Sequence, residues 1–319
     1  MYEVTNRTIQ ERFLLRPGTA SREQIHGVIG RGQELYSGVR VHAYTVLSNQ
    51  LHMLISSNDA SQLARFIGYV LGNIARRIGK LHGWRGPFWA GRARVIPIVD
   101  SASHEARLRY ILAHGVKERL VARPEQWPGA SSTPGLLGGK LTGTWRLATA
   151  CRDARDQRQE VGDEDRYDIS LDPIPSWRHL TAAARITRVQ TMIAEIVSEF
   201  RSRCGPGVAG RAAVLRQDPL GRPERPARKR APICHAATVE AREAYLAAYD
   251  AFVETFRCAT RSTERNEPAA SRRFPEGSHP RAGAFVQPRT LDLPWSSTPA
   301  PPAADLTPKS RATATDTAL

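Results

Sequence analysis

The chain has 319 residues, with 46 Lys+Arg against 31 Asp+Glu and a formal charge of +15. No stretch approaches eighteen consecutive apolar residues, so a membrane span is not expected, and the opening Met1-Tyr2-Glu3-Val4 lacks the regions of a secretory signal. Cys151, Cys204, Cys234 and Cys258 stand far apart with no CxxC pair, which suggests neither a zinc site nor a disulfide framework.

A soluble, cytoplasmic, basic protein is expected. Its positive charge is uneven: residues 1–150 hold 20 basic and 9 acidic side chains (+11), and the remainder 26 and 22 (+4). A field concentrated in one half suits a polyanionic partner.

In chain order, Tyr2 to Ile9 alternates well enough for a strand, and Pro17-Gly18 breaks the apolar run that follows. Ser21 with Gln24 reads as a capping box opening a helix to about Tyr36, ended by Gly38. Val39–Leu47 and Gln50–Ser56 form a hairpin around Ser48-Asn49. Leu63, Phe66, Ile67, Val70, Leu71, Ile74, Ile78 and Leu81 then make an apolar stripe at helical spacing, closed by Gly83. Arg92–Val99 reads as a strand interrupted near its end by Pro97, and Ser103–His114 as a last helix ended by Gly115. The order β-α-β-β-α-β plus a helix predicts an α+β, ferredoxin-like (split βαβ) domain over residues 1–135.

Beyond it, residues 136–180 read as a linker and 181–260 as a helical extension with a Pro/Gly-rich basic linker at 205–232. Helices are expected over Thr181–Arg203 and Ala237–Arg257, the second with a packing stripe of Tyr245, Tyr249, Phe252 and Phe256. Residues 261–319 hold nine of the 22 prolines and are expected to be disordered.

Two groups of side chains could do chemistry. Alternation along the second hairpin strand puts Gln50, His52 and Leu54 on one face and Leu51, Met53 and Ile55 on the other. Gln50 and His52 could both ligate a divalent cation, although such a pair is more often a solvated edge or a satisfied core histidine. Tyr110 and His114 are four apart on the last helix and share a face. Core packing and helix capping are the ordinary readings there. A phenol beside metal ligands is, however, what single-tyrosine phosphoryl transfer needs, because a group with a pKa near ~10 is a poor nucleophile unaided.

The run Val41-His42-Ala43-Tyr44-Thr45-Val46-Leu47-Ser48-Asn49-Gln50-Leu51-His52-Met53-Leu54 resembles the HUH segment of the single-tyrosine transposases, which include the insertion-sequence and REP-associated tyrosine transposases. Tyr2–Arg7 resembles their opening strand, Arg85–Arg92 their Gly-Pro-x-Trp stretch, and Arg109–Val116 their nucleophile helix. Trp127-Pro128 with Ser131-Ser132 resembles the closing segment.

The resemblance implies that Tyr110 attacks a DNA phosphate and that His52 is a metal ligand. It also implies that His114 and Gln50 occupy the other two ligand positions for Mg²⁺ or Mn²⁺. The sequence departs from the pattern twice, with glutamine where the family has histidine and histidine where it has an amide. The set still holds two imidazoles and one amide. It reads as a permuted site, or alternatively as decay to an inactive or domesticated DNA-binding relative.

The implied substrate is single-stranded DNA with a hairpin. The family usually works as a homodimer, a state this sequence neither supports nor contradicts. Arg76, Arg77, Lys80, Arg85, Arg92 and Arg94 cluster around Trp84, Phe88 and Trp89, a mixture suited to single strands. Arg76, Arg77, Lys80, Arg92, Arg94 and Arg7 on the first strand are the candidate DNA contacts, with Phe88 and His42 read as structural. Arg228-Lys229-Arg230 could add nonspecific affinity. An RNA-binding sheet protein is the weaker alternative, since the aromatic RNP signature is missing.

Overall fold

The computed structural model describes residues 1–145, 165–204, 207–223 and 232–278. Arg228-Lys229-Arg230 and the segment from 279 onward, the larger part of the expected tail, lie outside the described residues.

Six elements build the sheet layer: β1 (Tyr2–Arg7), α1 (Thr19–Leu35), β2 (Val39–Val46), β3 (Gln50–Ser57), α2 (Ala60–Leu81) and β4 (Arg94–Pro97). The four strands lie in the order β2-β3-β1-β4 with every neighbouring pair antiparallel. Each helix therefore links two parallel strands that flank a third, so β1 and β3 are central. Thr5 sits opposite His52 on one side and Arg94 on the other, and His52 also faces Thr45.

Alternation along β1 and β3 sorts side chains onto two cores. Val4, Leu51, Met53 and Ile55 pack under α1 and α2 with Phe66, Val70 and Ile74. The other face carries Leu54 beneath α3 (Ser101–Lys117), which contributes Leu108, Ile111 and Leu112. Glu3, Thr5, Arg7, Gln50 and His52 share that second face by register.

Two local expectations change and a third holds. Gly18 precedes α1, and Ser21 lies within the first turn, where its hydroxyl donates to the carbonyls of Arg16 and Gly18 rather than capping. Gly115 does not end α3, which continues to Lys117. A Cβ there would meet Val121 at 3.2 Å and Trp127 at 3.5 Å, so the glycine admits close packing. Gly83 does follow the end of α2, with φ +63.

The boundary at 135 and the linker over 136–180 are also revised. After the single turn α4 (Thr133–Leu136), strands β5 (Thr142–Trp145) and β6 (Asp165–Asp168) form a hairpin against α1. Leu141, Trp145 and Ile169 join the first core, and Ile174 and Trp177 join the second. The glycines that suggested a spacer serve close approach instead: a Cβ on Gly143 would lie 2.0 Å from Gly27 N.

Helix α5 (Ala182–Cys204) lays Val189, Ile193, Ile196 and Phe200 on α3. Within the expected linker at 205–232, the short α6 (Arg211–Leu215) buries Val214, and Gly221 O accepts from Phe13 N at 2.9 Å. Helix α7 (Val239–Glu264) starts at the Thr238 cap and outruns the expected end. Phe274, inside the expected tail, packs on Phe256 with ring centroids 5.2 Å apart.

Two histidines sit inside these layers. His26 approaches Thr142 O at 3.3 Å from α1, and His42, at the β2 bulge, bridges Asp172 O (3.0 Å) and Ser56 Oγ (2.8 Å). Burial lowers both to about 4, against the opposing effect of their backbone partners. Between that value and the ordinary ~6.5 the unfolded chain binds more protons than the folded one, so stability falls as pH drops through this window. Each histidine is expected to add about 1.4 kcal/mol per pH unit to the slope. Urea unfolding at several pH values from 7 to 4 checks this, and a flat profile would contradict it.

Candidate active site

The second face of the sheet brings together four of the residues singled out from sequence. Alternation aims Gln50 and His52 off β3, and one helical turn places Tyr110 and His114 over them from α3. The ring centroids are 4.3 Å apart for His52 and His114, 5.8 Å for His52 and Tyr110, and 5.0 Å for Tyr110 and His114. Gln50 Nε2 lies 2.8 Å from His114 Nε2. His52 and His114 are buried, and Tyr110 is partly open.

Glu3, which the sequence reading passed over, organises this group. It is only 2% exposed, and its Oε1 accepts His52 Nδ1–H at 3.1 Å. Its Oε2 faces Arg107 Nε at 3.0 Å and His235 Nε2 at 2.7 Å. Burial alone would raise this carboxyl, but the His235 and His52 imidazoles beside its oxygens and the Arg107 charge hold it far below the ordinary range.

Arg107 continues to the nucleophile candidate, with its guanidinium carbon 3.9 Å from the Tyr110 ring centroid; Lys117 Nζ is 4.7 Å from the same centroid. Burial, and then the Glu3 charge, push the Tyr110 phenol above its usual pKa, and Arg107 opposes them. Burial, with His52 and Lys117 nearby, keeps His114 well below the usual histidine range and so neutral.

This arrangement has a specific consequence for metal binding. With Nδ1 facing Glu3, His52 turns toward the site an Nε2 that is buried and, among the described residues, has no hydrogen-bond partner. A histidine oriented by a carboxylate in this way is how proteins present imidazole to a metal. His114 Nε2 and the Gln50 amide meet beside it, and turning the amide over would exchange its nitrogen for its oxygen. The donor set therefore fits a divalent cation, provided Gln50 supplies the third position. Among the described residues, no group of three or more His, Cys, Asp or Glu could hold one.

The candidate DNA contacts divide. Arg7 shares the site face opposite Gln50 and pairs with Glu11 at 2.8 Å. Arg94, opposite Thr5, is exposed on the same face at the sheet edge, and Arg92 is exposed just before it. Arg76, Arg77 and Lys80 belong to α2, behind the sheet, so they are not brought to Tyr110. Arg76 bonds Asn73, and the Arg77 guanidinium lies 3.6 Å from the Trp145 ring centroid.

Phe88 is core, as expected, while Trp84 and Trp89 donate their indole N–H groups to Pro87 O and Leu71 O. Arg107 and Lys117 were legible at three and seven residues from Tyr110. Glu3 was legible as an acid on the same strand face as Thr5. Nothing in the sequence pointed to His235.

No protein-family model matches the chain, and no curated protein matches it. Among solved structures, a REP-associated tyrosine transposase bound to a REP hairpin is 18% identical. The match covers 41% of this chain and 74% of that one, with a TM-score of 0.32. A Deinococcus radiodurans protein described as a transposase is 17% identical over 34% of this chain and 84% of that one, with a TM-score of 0.27. At these scores nothing about activity follows from either.

Removing Glu3 leaves Arg107 without its buried counter-ion and His52 without its acceptor. Glu3→Ala is expected to cost about 3 kcal/mol or more of unfolding free energy, the range for breaking one side of a buried ion pair. Urea denaturation measures it, and a loss below about 1 kcal/mol would show that the carboxylate is dispensable.

Proposed function

We propose that the chain is a metal-dependent DNA strand transferase of the single-tyrosine HUH type, built on a ferredoxin-like domain and acting on single-stranded hairpin DNA. The observation that carries this reading is the convergence of Tyr110 and His114 from α3 on His52 and Gln50 of the sheet face beneath it, with the Nε2 of His52 unpartnered among the described residues.

In the proposed reaction the Tyr110 oxygen gives up its phenolic proton and attacks a backbone phosphorus, the P–O3′ bond breaks, and the 3′-oxygen takes up one proton and leaves as a hydroxyl, so the exchange is proton-neutral. The 5′ end then remains on the enzyme as a phosphotyrosine. A second 3′-hydroxyl reverses the step and frees Tyr110, so no nucleotide triphosphate is needed. Arg107 and Lys117 flank the ring and favour the phenolate form that burial and Glu3 disfavour. Glu3 faces His52 Nδ1 and leaves Nε2 turned to the site. Gln50, His52 and His114 would hold Mg²⁺ or Mn²⁺, which when bound polarises the phosphate and stabilises its developing charge. Arg7, Arg92 and Arg94, around the same end of the sheet, are the proposed strand contacts.

One observation favours the second reading, a DNA-binding relative without cleavage: Gln50 and His114 already satisfy each other by a hydrogen bond. Incubation with labelled single-stranded hairpin DNA and Mn²⁺ separates the two. The enzyme reading expects a denaturation-resistant adduct that Tyr110→Phe abolishes while DNA binding is retained. Binding by the intact chain without any adduct would overturn it.

A further inference from the structure

Residues 232–237 run along the outer edge of the sheet. His235 N donates to Pro97 O at 2.8 Å and Val99 N donates to His235 O at 3.0 Å, a parallel pairing that begins where β4 ends. Two residues on, Ala237 N donates to Asp100 Oδ2 at 2.6 Å. The other oxygen of Asp100 accepts Ser103 N at 2.7 Å and so caps α3. This strap is thus tied by its main chain to the last strand and to the helix that carries Tyr110. Between those ties the His235 side chain turns inward and meets Glu3 Oε2.

We infer that His235 is a positioning residue: acting through Glu3, it fixes the tautomer and orientation of His52 and the seat of Arg107 on Tyr110. The inference rests on the reading of His52 and Tyr110 as the reacting centre. It gives the C-terminal extension a part in the site, because strand β3 and helix α3 alone leave one side of the carboxylate open.

The geometry separates this role from mere anchoring. The strap's bonds to Pro97, Val99 and Asp100 are made by backbone groups, which a substitution at 235 leaves in place. The imidazole is what the carboxylate gains. Glu3 Oε1 bonds His52 Nδ1, and Oε2 lies within ion-pair distance of His235 Nε2 (2.7 Å) and Arg107 Nε (3.0 Å), so partners face the carboxylate at both oxygens. Without His235 the carboxylate can rotate toward Arg107, and the bond that keeps the proton on His52 Nδ1 weakens. Outer partners of this kind typically change ligand function by about 10- to 100-fold.

The test uses the full chain with His235→Ala and with His235→Gln, which keeps an N–H donor long enough to reach Glu3. Imidazole ¹⁵N NMR, without DNA or metal, reads which nitrogen of His52 carries the proton; thermal melting reads the fold; the rate of adduct formation with single-stranded hairpin DNA and Mn²⁺ reads catalysis. His52 is expected as the Nδ1–H form in the intact chain and in His235→Gln, and as mixed tautomers in His235→Ala, with equal melting temperatures for the two variants. Adduct formation is expected to slow about 10- to 100-fold in His235→Ala and to recover to within a few-fold in His235→Gln.

Unchanged His52 resonances in His235→Ala would overturn the inference, as would a His235→Gln chain as impaired as His235→Ala. If His235→Ala does not fold, His235→Asn, too short to reach Glu3, takes its place with the same expectation. A responsive His52 in a chain that never forms an adduct would sink the reaction and leave the positioning role standing. An adduct-forming chain with an indifferent His52 would do the reverse.

Discussion

A buried carboxylate cannot stand alone, and the satisfaction of Glu3 is the constraint on which the site depends. Almost fully removed from water, it draws in a histidine from β3, an arginine from α3 and a histidine from the C-terminal extension. Three separate parts of the chain are thereby registered on one side chain of the first strand. Two of the three partners lie against Tyr110: His52 edge to ring and Arg107 over its face. The same contacts that offset the desolvation of Glu3 therefore aim the polar groups around the phenol.

That arrangement is possible because the sheet is covered on both faces. α1, α2 and the β5–β6 hairpin close one side, leaving α3 and α5 to close the other. Glu3, His52 and His114 between the second face and α3 are consequently removed from solvent and find partners mainly among neighbouring side chains. His114 is kept neutral there, and His52 is held with one nitrogen bonded and the other bare. A fully solvated sheet face would leave the same side chains hydrated and unconstrained.

The periodicities were most readable where one face is strongly apolar, as in α2 with Leu63, Phe66, Val70, Ile74 and Ile78 and in β3 with Leu51, Met53 and Ile55. Alternation correctly separated Gln50, His52 and Leu54 from Leu51, Met53 and Ile55, and helical spacing joined Tyr110 to His114. Two kinds of information were not local. Glycines such as Gly143 look like spacer until Gly27 is known to lie against them. The placement of Arg77 on Trp145, and of His235 on Glu3, depends on chain returning from more than sixty and more than two hundred residues away. Basic residues counted together in sequence, such as Arg77 and Arg94, consequently fall on different faces.

The central claim is that Gln50, His52 and His114 are ligands rather than a closed hydrogen-bonded cluster. Crystals of the full chain grown with Mn²⁺ and measured at the manganese absorption edge test it directly. The account predicts one anomalous peak bonded to His52 Nε2, with His114 Nε2 and the turned Gln50 amide oxygen beside it. Density in which Gln50 still bonds His114, with no peak at His52, would contradict it.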